Sequence, residues 1–335
     1  MTATLVTVTY GKRLELLRQC LDSGFREGCE RAVVVNNGSS ELIAACTERS
    51  FGDRVKVISL PNNSGSANGF AVGIEAALED GAEYILLLDD DNVLHAGALA
   101  ILRKAHEEAA LETPIDNLIV VGMREEHHQL NTAKEARGGQ VALRRNAFLC
   151  FHFADAPAKL WRRVRRRNGA SMRPDHIPER VERMVAPYGG MYFHRSLIAR
   201  HGVPDRRLVL YGDDYEFSYR VTRAGGKIWL ITAAMLADLE SSWNLRSRYG
   251  SGLEALLCGD SDVRAYYNCR NFTYFEKRDM TTSPMVRRLN RTICLAVIWL
   301  LAIRHRAGER RRLLLRSIAD AEQGHLGVNP NFPLP

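Results

Sequence analysis

Five short apolar runs, separated by stretches of helical character, fill the first 125 residues, and this alternation restricts the fold more than any other feature of the chain. The runs are Thr4–Tyr10, Arg31–Asn36, Val55–Leu60, Tyr84–Leu88 and Leu118–Met123. Between them, Leu14, Leu17 and Leu21 recur at helical spacing within 12–23, and Glu41–Ser50 reads as a second helix. Asn63-Ser64 is expected to cap a third that reaches Asp80, and His95–Ala110 forms a fourth. Strands joined through helices lie parallel, with right-handed crossovers. The expected class is therefore α/β, with a mostly parallel central sheet flanked by helices.

The fourth run stops abruptly at Asp89-Asp90-Asp91-Asn92. Ligands of open α/β sheets bind at the carboxyl ends of the strands, which is where these acids fall. Three adjacent carboxylates repel one another unless a cation joins them. A hard divalent ion with oxygen ligands answers that need, and Mg²⁺ or Mn²⁺ brings a substrate diphosphate with it. The competing reading is a solvated acidic turn.

A second acidic cluster, Asp213-Asp214 with Glu216, opens a later helix. Two acid clusters on one scaffold imply divided labour: one holds metal and diphosphate, the other removes a proton from an attacking hydroxyl. Acids are also favoured in a first helical turn, so Asp213 capping and Asp214 reacting are compatible. The small residues Gly65, Ala67 and Gly69 let either a ligand or a strand approach the helix start closely. No Gly-Lys-Ser/Thr follows them, and no GxGxxG follows the first strand, so neither nucleotide-loop signature applies.

The net charge of +7 suits anionic partners without choosing among them. Seven scattered cysteines form no CxxC pair, which fits reduced thiols in a cytoplasmic setting better than zinc or disulfides. No signal peptide opens the sequence, and the longest apolar stretch, Ile293–Ile303, is too short to span a bilayer.

Later segments are less regular. Residues 130–150 resemble a hairpin turning at Gly138-Gly139, and 155–185 form an Arg-rich, mobile or membrane-facing loop centred on 161–167. That loop would also suit nucleic-acid phosphates, but its poor aromatic interleaving favours an acceptor or membrane role. Tyr188–Phe193 restores order, a short helix runs through Arg200, the helix opened at Asp213 ends at Gly225-Gly226, and Lys227–Ile231 is a strand. Residues 285–304 and 310–315 mix apolar residues with arginines. They are either an interfacial helix pair on anionic lipid or a hairpin packed on the rest of the chain.

In this order the pieces resemble the family-2 inverting glycosyltransferases, which have the nucleotide-diphospho-sugar-binding GT-A fold. The likeness is to their bacterial galactofuranosyl- and rhamnosyltransferase branch. Its carriers are Val8-Thr9-Tyr10, Val35–Ser39, Asn63–Phe70, Leu88–Asn92, Gly212–Phe217 with Arg220, and Tyr266–Asn271. The resemblance implies a GT-A domain over 1–280, with a nucleotide-sugar half at 1–125 and an acceptor half at 126–280. A basic helical extension follows at 281–335. It implies that Thr9, Tyr10, Asn36, Asn37, Asn63, Gly65 and Asp90 face the donor, a UDP- or dTDP-sugar. It makes Asp89 and Asp91 the DxD ligands of Mn²⁺ or Mg²⁺, and Asp214 the catalytic base. Gly189, Gly190 and Asp213 would line the acceptor side.

Many members carry Asp where Asn36 stands. A metal-binding His expected beyond the base is missing, and Asp238 is the oxygen ligand that would replace it. The implied acceptor is a lipid-linked or growing surface glycan, and the implied location is the inner face of the cell membrane, with peripheral contact through the C-terminal helices. No nucleic-acid partner is expected. The rival readings are a sugar-1-phosphate nucleotidyltransferase, for which Tyr10–Arg13 supplies no glycine-rich triphosphate loop, and a non-catalytic nucleotide- or glycan-binding module.

Overall fold

A computed structural model describes residues 2–124, 143–155, 178–240, 249 and 251–334. Its first half is built as the alternation requires. Strands β1 (Ala3–Thr9), β2 (Arg31–Asn37), β3 (Val55–Leu60) and β4 (Tyr84–Asp89) pair in parallel in the order β3-β2-β1-β4. Helices α1 (Leu14–Arg26), α2 (Ile43–Phe51) and α3 (Ser66–Glu79) form the crossovers. Alternate β1 residues feed two apolar layers. Leu5 joins Leu17, Leu21 and Leu86 on one face, while Val6 and Val8 join Phe70, Ile74 and Leu87 on the other. A sheet covered on both faces needs such apolar strands.

The second half is mixed. Beyond β4 the order continues β8 (Met191–His194), β6 (Leu118–Arg124), β9 (Lys227–Asp238) and β5 (Asn92–Leu94). Helix α4 is Ala98–Ala110. β8 runs antiparallel to both β4 and β6, β6 and β9 are parallel, and β5 is antiparallel to β9. β9 runs seven residues beyond the expected strand end, because its later part pairs with β5 and the end of β6. Part of the expected 155–185 loop is instead strand β7 (Arg180–Arg183), antiparallel to β9. The 130–150 hairpin and the 161–167 arginine run lie outside the described residues, except for 143–150, where Phe148 bridges Phe151.

Two helix starts differ from expectation. Gly65 occupies the cap position of α3 at φ 87°, so Asn63 and Ser64 precede the cap. Gly212, at φ 78°, precedes helix α6 (Asp213–Arg223), making Asp213 its first helical residue and not its cap. Both positions need the left-handed backbone that glycine adopts without strain. A short helix, α5 (Ser196–His201), follows β8 as expected.

The C-terminal part is helical: α7 (Gly252–Cys258), α8 (Asp262–Asp279), α9 (Pro284–Arg304) and α10 (Gly308–Gln323). Leu253, Cys269, Cys294, Ile298, Leu314 and Ile318 form their shared core, joined by Phe148. One face of α9 is thus packed, while Met285, Trp299, Leu300 and Ile303 remain 84%, 51%, 58% and 59% exposed. No helix among the described residues is long and apolar enough to cross a membrane.

Candidate functional site

Parallel register brings the ends of β1, β2 and β4 level, with Thr9 opposite Asn36 and Val8 opposite Asp89. The three acids then part company. Asp90 turns inward and is 3% exposed; Arg13, at the start of α1, donates from Nε to both of its oxygens at 2.9 Å. Burial raises its pKa, and the bonds from Arg13 oppose the rise. The next guanidinium nitrogen of Arg13 lies 3.2 Å from Asp91, and the third pairs with Glu240. Asp90 is therefore an internal counter-charge, not an open donor contact.

Asp89 points the other way. Arg124, at the end of β6, reaches it at 3.1 Å and reaches Asp238, the last residue of β9, at 2.8 Å. Asn92 donates to Asp238 at 2.7 Å. Asp238 is 1% exposed at its side chain and is held by those two partners, so its place in the cluster is that of an anchor. The side chains of Asp89 and Asp91 stay 37% and 18% exposed. Burial, then the charges of Asp89 and Asp90, push Asp91 up to about 6.

The glycine-containing loops lock onto each other. Asn37 donates to Asn63 Oδ1 and Gly65 O, both at 3.1 Å, and accepts from the amide and hydroxyl of Ser64, both at 2.9 Å. All four hydrogen-bonding capacities of its amide are spent on this turn. Asn63 also accepts from Gly65 N at 3.0 Å. A Cβ on Gly65 would stand 2.0 Å from the Val209 carbonyl, and one on Gly69 would stand 2.5 Å from Val8 Cγ1. The small residues therefore serve close packing. Asn36 uses its Oδ1 to accept from Ser39 N at 2.9 Å, and Tyr10 stacks near Arg13, its ring centre 5.3 Å from the guanidinium carbon.

The second acid pair lies at the start of α6. Asp213 is 2% exposed and accepts from Ser66 Oγ at 2.8 Å. Asp214 is part-exposed, with one oxygen accepting from Tyr215 N at 2.8 Å. Burial pushes Asp213 up to about 6. Burial and then the adjacent Asp213 charge hold Asp214 well above the ordinary carboxylate range. The charge of Asp89 contributes to both shifts, so the clusters share one electrostatic environment.

Two consecutive residues connect them. Buried Tyr188 feels the charges of Asp213 and Asp214 after burial itself, and its phenol is pushed up accordingly. A Cβ on Gly189 would stand 2.3 Å from Asn92 Oδ1, 2.9 Å from Arg124 and 3.0 Å from Asp89. Gly190, at φ 88°, completes the turn into β8. Consecutive Cα atoms are about 3.8 Å apart, so one short segment touches both acid clusters. Sequence reasoning missed Arg13, Arg124, Asn92 and Tyr188. A cation directly after the first strand, and another ending a strand near the acidic one, were the available signals.

This is the GT-A fold, a parallel α/β half continued into a mixed sheet. TarS 1–349 of S. aureus shares it at a TM-score of 0.50 and 12% identity, over 97% of this chain and 92% of that one. Residues 4–164 match the family model Glycosyl transferase family 2, so the family resemblance read from the sequence is borne out over that stretch. The galactofuranosyltransferase GlfT1 of Mycobacterium tuberculosis is 27% identical over 233 residues, 68% of this chain but only 64% of that relative's length. GlfT1 of Mycolicibacterium smegmatis is 24% identical over 327 residues, 95% of this chain and 96% of that protein.

Proposed function

We propose that the protein is a metal-dependent, inverting glycosyltransferase using a nucleotide-diphosphate sugar, with UDP-galactofuranose favoured over dTDP-rhamnose by the named relatives. The observation that supports this reading is the Tyr188-Gly189 segment: the Tyr188 phenol feels the charges of Asp213 and Asp214, and the next residue, Gly189, lies against Asn92, Arg124 and Asp89. In this reading residues 1–280 are the transferase domain and 281–335 its helical extension.

Among the described residues no three acid, His or Cys side chains converge into a metal cage. Asp90 and Asp238 are buried against arginines, whereas Asp89 and Asp91, although each also meets one arginine, keep more exposed, hard oxygen donors and repel each other. That set fits Mg²⁺ or Mn²⁺, which uses one or two carboxylates together with substrate phosphates. Bound there, the ion would neutralise charge on the departing nucleoside diphosphate.

The chain supplies the rest. Asp214 takes the proton as the acceptor hydroxyl attacks the anomeric carbon. The new C–O bond forms as the bond to the diphosphate breaks on the opposite face, inverting the configuration. General-base help contributes about 10²–10⁴-fold. In this reading Tyr10 and Asn36 border the nucleoside side with buried Thr9 behind them, and Gly189-Gly190 border the acceptor side with buried Asp213 behind. Asn37, Asn63 and Gly65 shape the donor border through their turn.

The acceptor is a lipid-linked or growing surface glycan, reached from the inner face of a membrane through α9. This helix carries no Asp or Glu, and arginines flank its exposed apolar side. Asp214→Asn tests the core of the reading. Transfer from the right nucleotide sugar should fall at least about 100-fold, with Mn²⁺-dependent UDP affinity retained. Retained turnover, or loss of UDP binding in that variant, would overturn the assignment of the base.

A further inference from the structure

Asp213 and Asp214 follow a turn whose backbone is unfavourable. Val209, a β-branched residue, lies at φ 67° and Tyr211 at φ 66°, a region side-chain-bearing residues rarely enter. Such conformations persist where the surroundings over-determine them, and they concentrate at functional sites. Here α8 does much of the holding. Asn271, fully buried, points its amide nitrogen at the carbonyls of Leu208, Leu210 and Tyr211, at 2.5, 2.8 and 2.8 Å. Its neighbour Arg270, 1% exposed, donates to Leu208 O at 3.2 Å and fixes Asn271 through a 3.0 Å bond to Oδ1. Ala67 N donates to Val209 O at 3.1 Å from the other side.

Arg270 is itself held by the segment after α10. Its Nη1 donates to Gly327 O at 2.6 Å, and Gly327 N donates to Arg207 O at 2.7 Å. The segment is tied down in turn. Asn329 donates to the hydroxyls of Tyr266 and Tyr267 at 2.7 and 2.9 Å, Tyr267 donates to Phe332 O at 3.1 Å, and the Phe332 ring stacks on Tyr266 at 4.3 Å.

We propose that residues 324–334 form a strap that positions Asp213 and Asp214, acting through Arg270 and Asn271 on the 207–211 turn. The strap is a positioning element: it touches no reacting group but sets where the acid pair points. As a statement about catalysis the proposal rests on the transferase reading. Its structural half does not.

The test uses the full chain with Asn329→Ala and Phe332→Ala combined, with Tyr267→Phe as a milder variant that removes one hydroxyl. Amide exchange across 207–214, kcat and donor KM are read together. Exchange should rise and kcat should fall about tenfold or more, since misplacement of about 1 Å costs up to about 100-fold. Donor KM should change less than about twofold, because the β4 acids are untouched. Phe332→Tyr, which keeps the stacking ring, should retain the wild-type values. Unchanged exchange overturns the strap, and raised exchange with unchanged kcat per folded molecule overturns its link to the acid pair. Absence of transfer by the wild-type protein overturns the transferase reading instead, and exchange still decides the strap.

Discussion

Asp91, proposed above as a metal ligand, opposes stability through its raised pKa. Its folded pKa of about 6 lies above the 3.8 of an ordinary Asp, so its folding contribution is fully present below about pH 4 and is lost as pH rises through 6. Asp91→Asn should therefore stabilise the protein at about pH 7.5 by roughly 1–3 kcal/mol and leave it unchanged near pH 4. Thermal melts at the two pH values check this, and a gain of equal size at both would remove the electrostatic explanation. The same variant should weaken Mn²⁺-dependent UDP binding. At this scale the acidic residues were legible, because acids after an apolar strand are a local signal. Their different fates were not. Whether Asp90 faces Arg13 or the cleft depends on α1, and the capture of Asp238 depends on Arg124, which is distant in sequence.

Among the elements, the parallel half could be read almost strand by strand, since each run and each crossover helix is defined within its own window. The mixed half could not. β8 inserts antiparallel between β4 and β6, and only tertiary pairing extends β9 to Asp238. The turn entering β8 is where that insertion meets the site. Gly189→Ala would place a methyl 2.3 Å from Asn92 Oδ1 and 2.9 Å from Arg124. The neighbours must then shift, at about 1–3 kcal/mol. UDP affinity should fall about tenfold with the fold retained. Calorimetric titration with UDP and Mn²⁺ measures this, and undiminished affinity would show that the β4 cluster does not hold the donor.

For the whole molecule, the sequence posed the C-terminal helices as either packed or lipid-facing, and α9 has a surface for each. Asn290, Cys294, Ile298 and Ala302 are buried against the neighbouring helices, while Met285, Leu289, Leu300 and Ile303 project from the opposite side. Arg288 and Arg304 are exposed beside that stripe. An apolar face with basic flanks binds anionic interfaces. Leu300→Glu with Ile303→Glu should abolish flotation with phosphatidylglycerol vesicles while leaving the melting temperature within a few degrees. Flotation unaffected by the pair, or equal with uncharged vesicles, would remove the membrane role. What sequence could not reveal at this scale was α8 and the segment after α10, whose contacts join residues far apart along the chain.

The Arg13–Asp90 pair has a consequence for descent. Losing Arg13 strands the buried Asp90 at about 3–5 kcal/mol, whereas losing Asp90 leaves Arg13 its two other partners, Asp91 and Glu240. The two substitutions are therefore unequal first steps for a lineage leaving this arrangement. The arginine should be the last of the pair to change, whatever becomes of the acids around it.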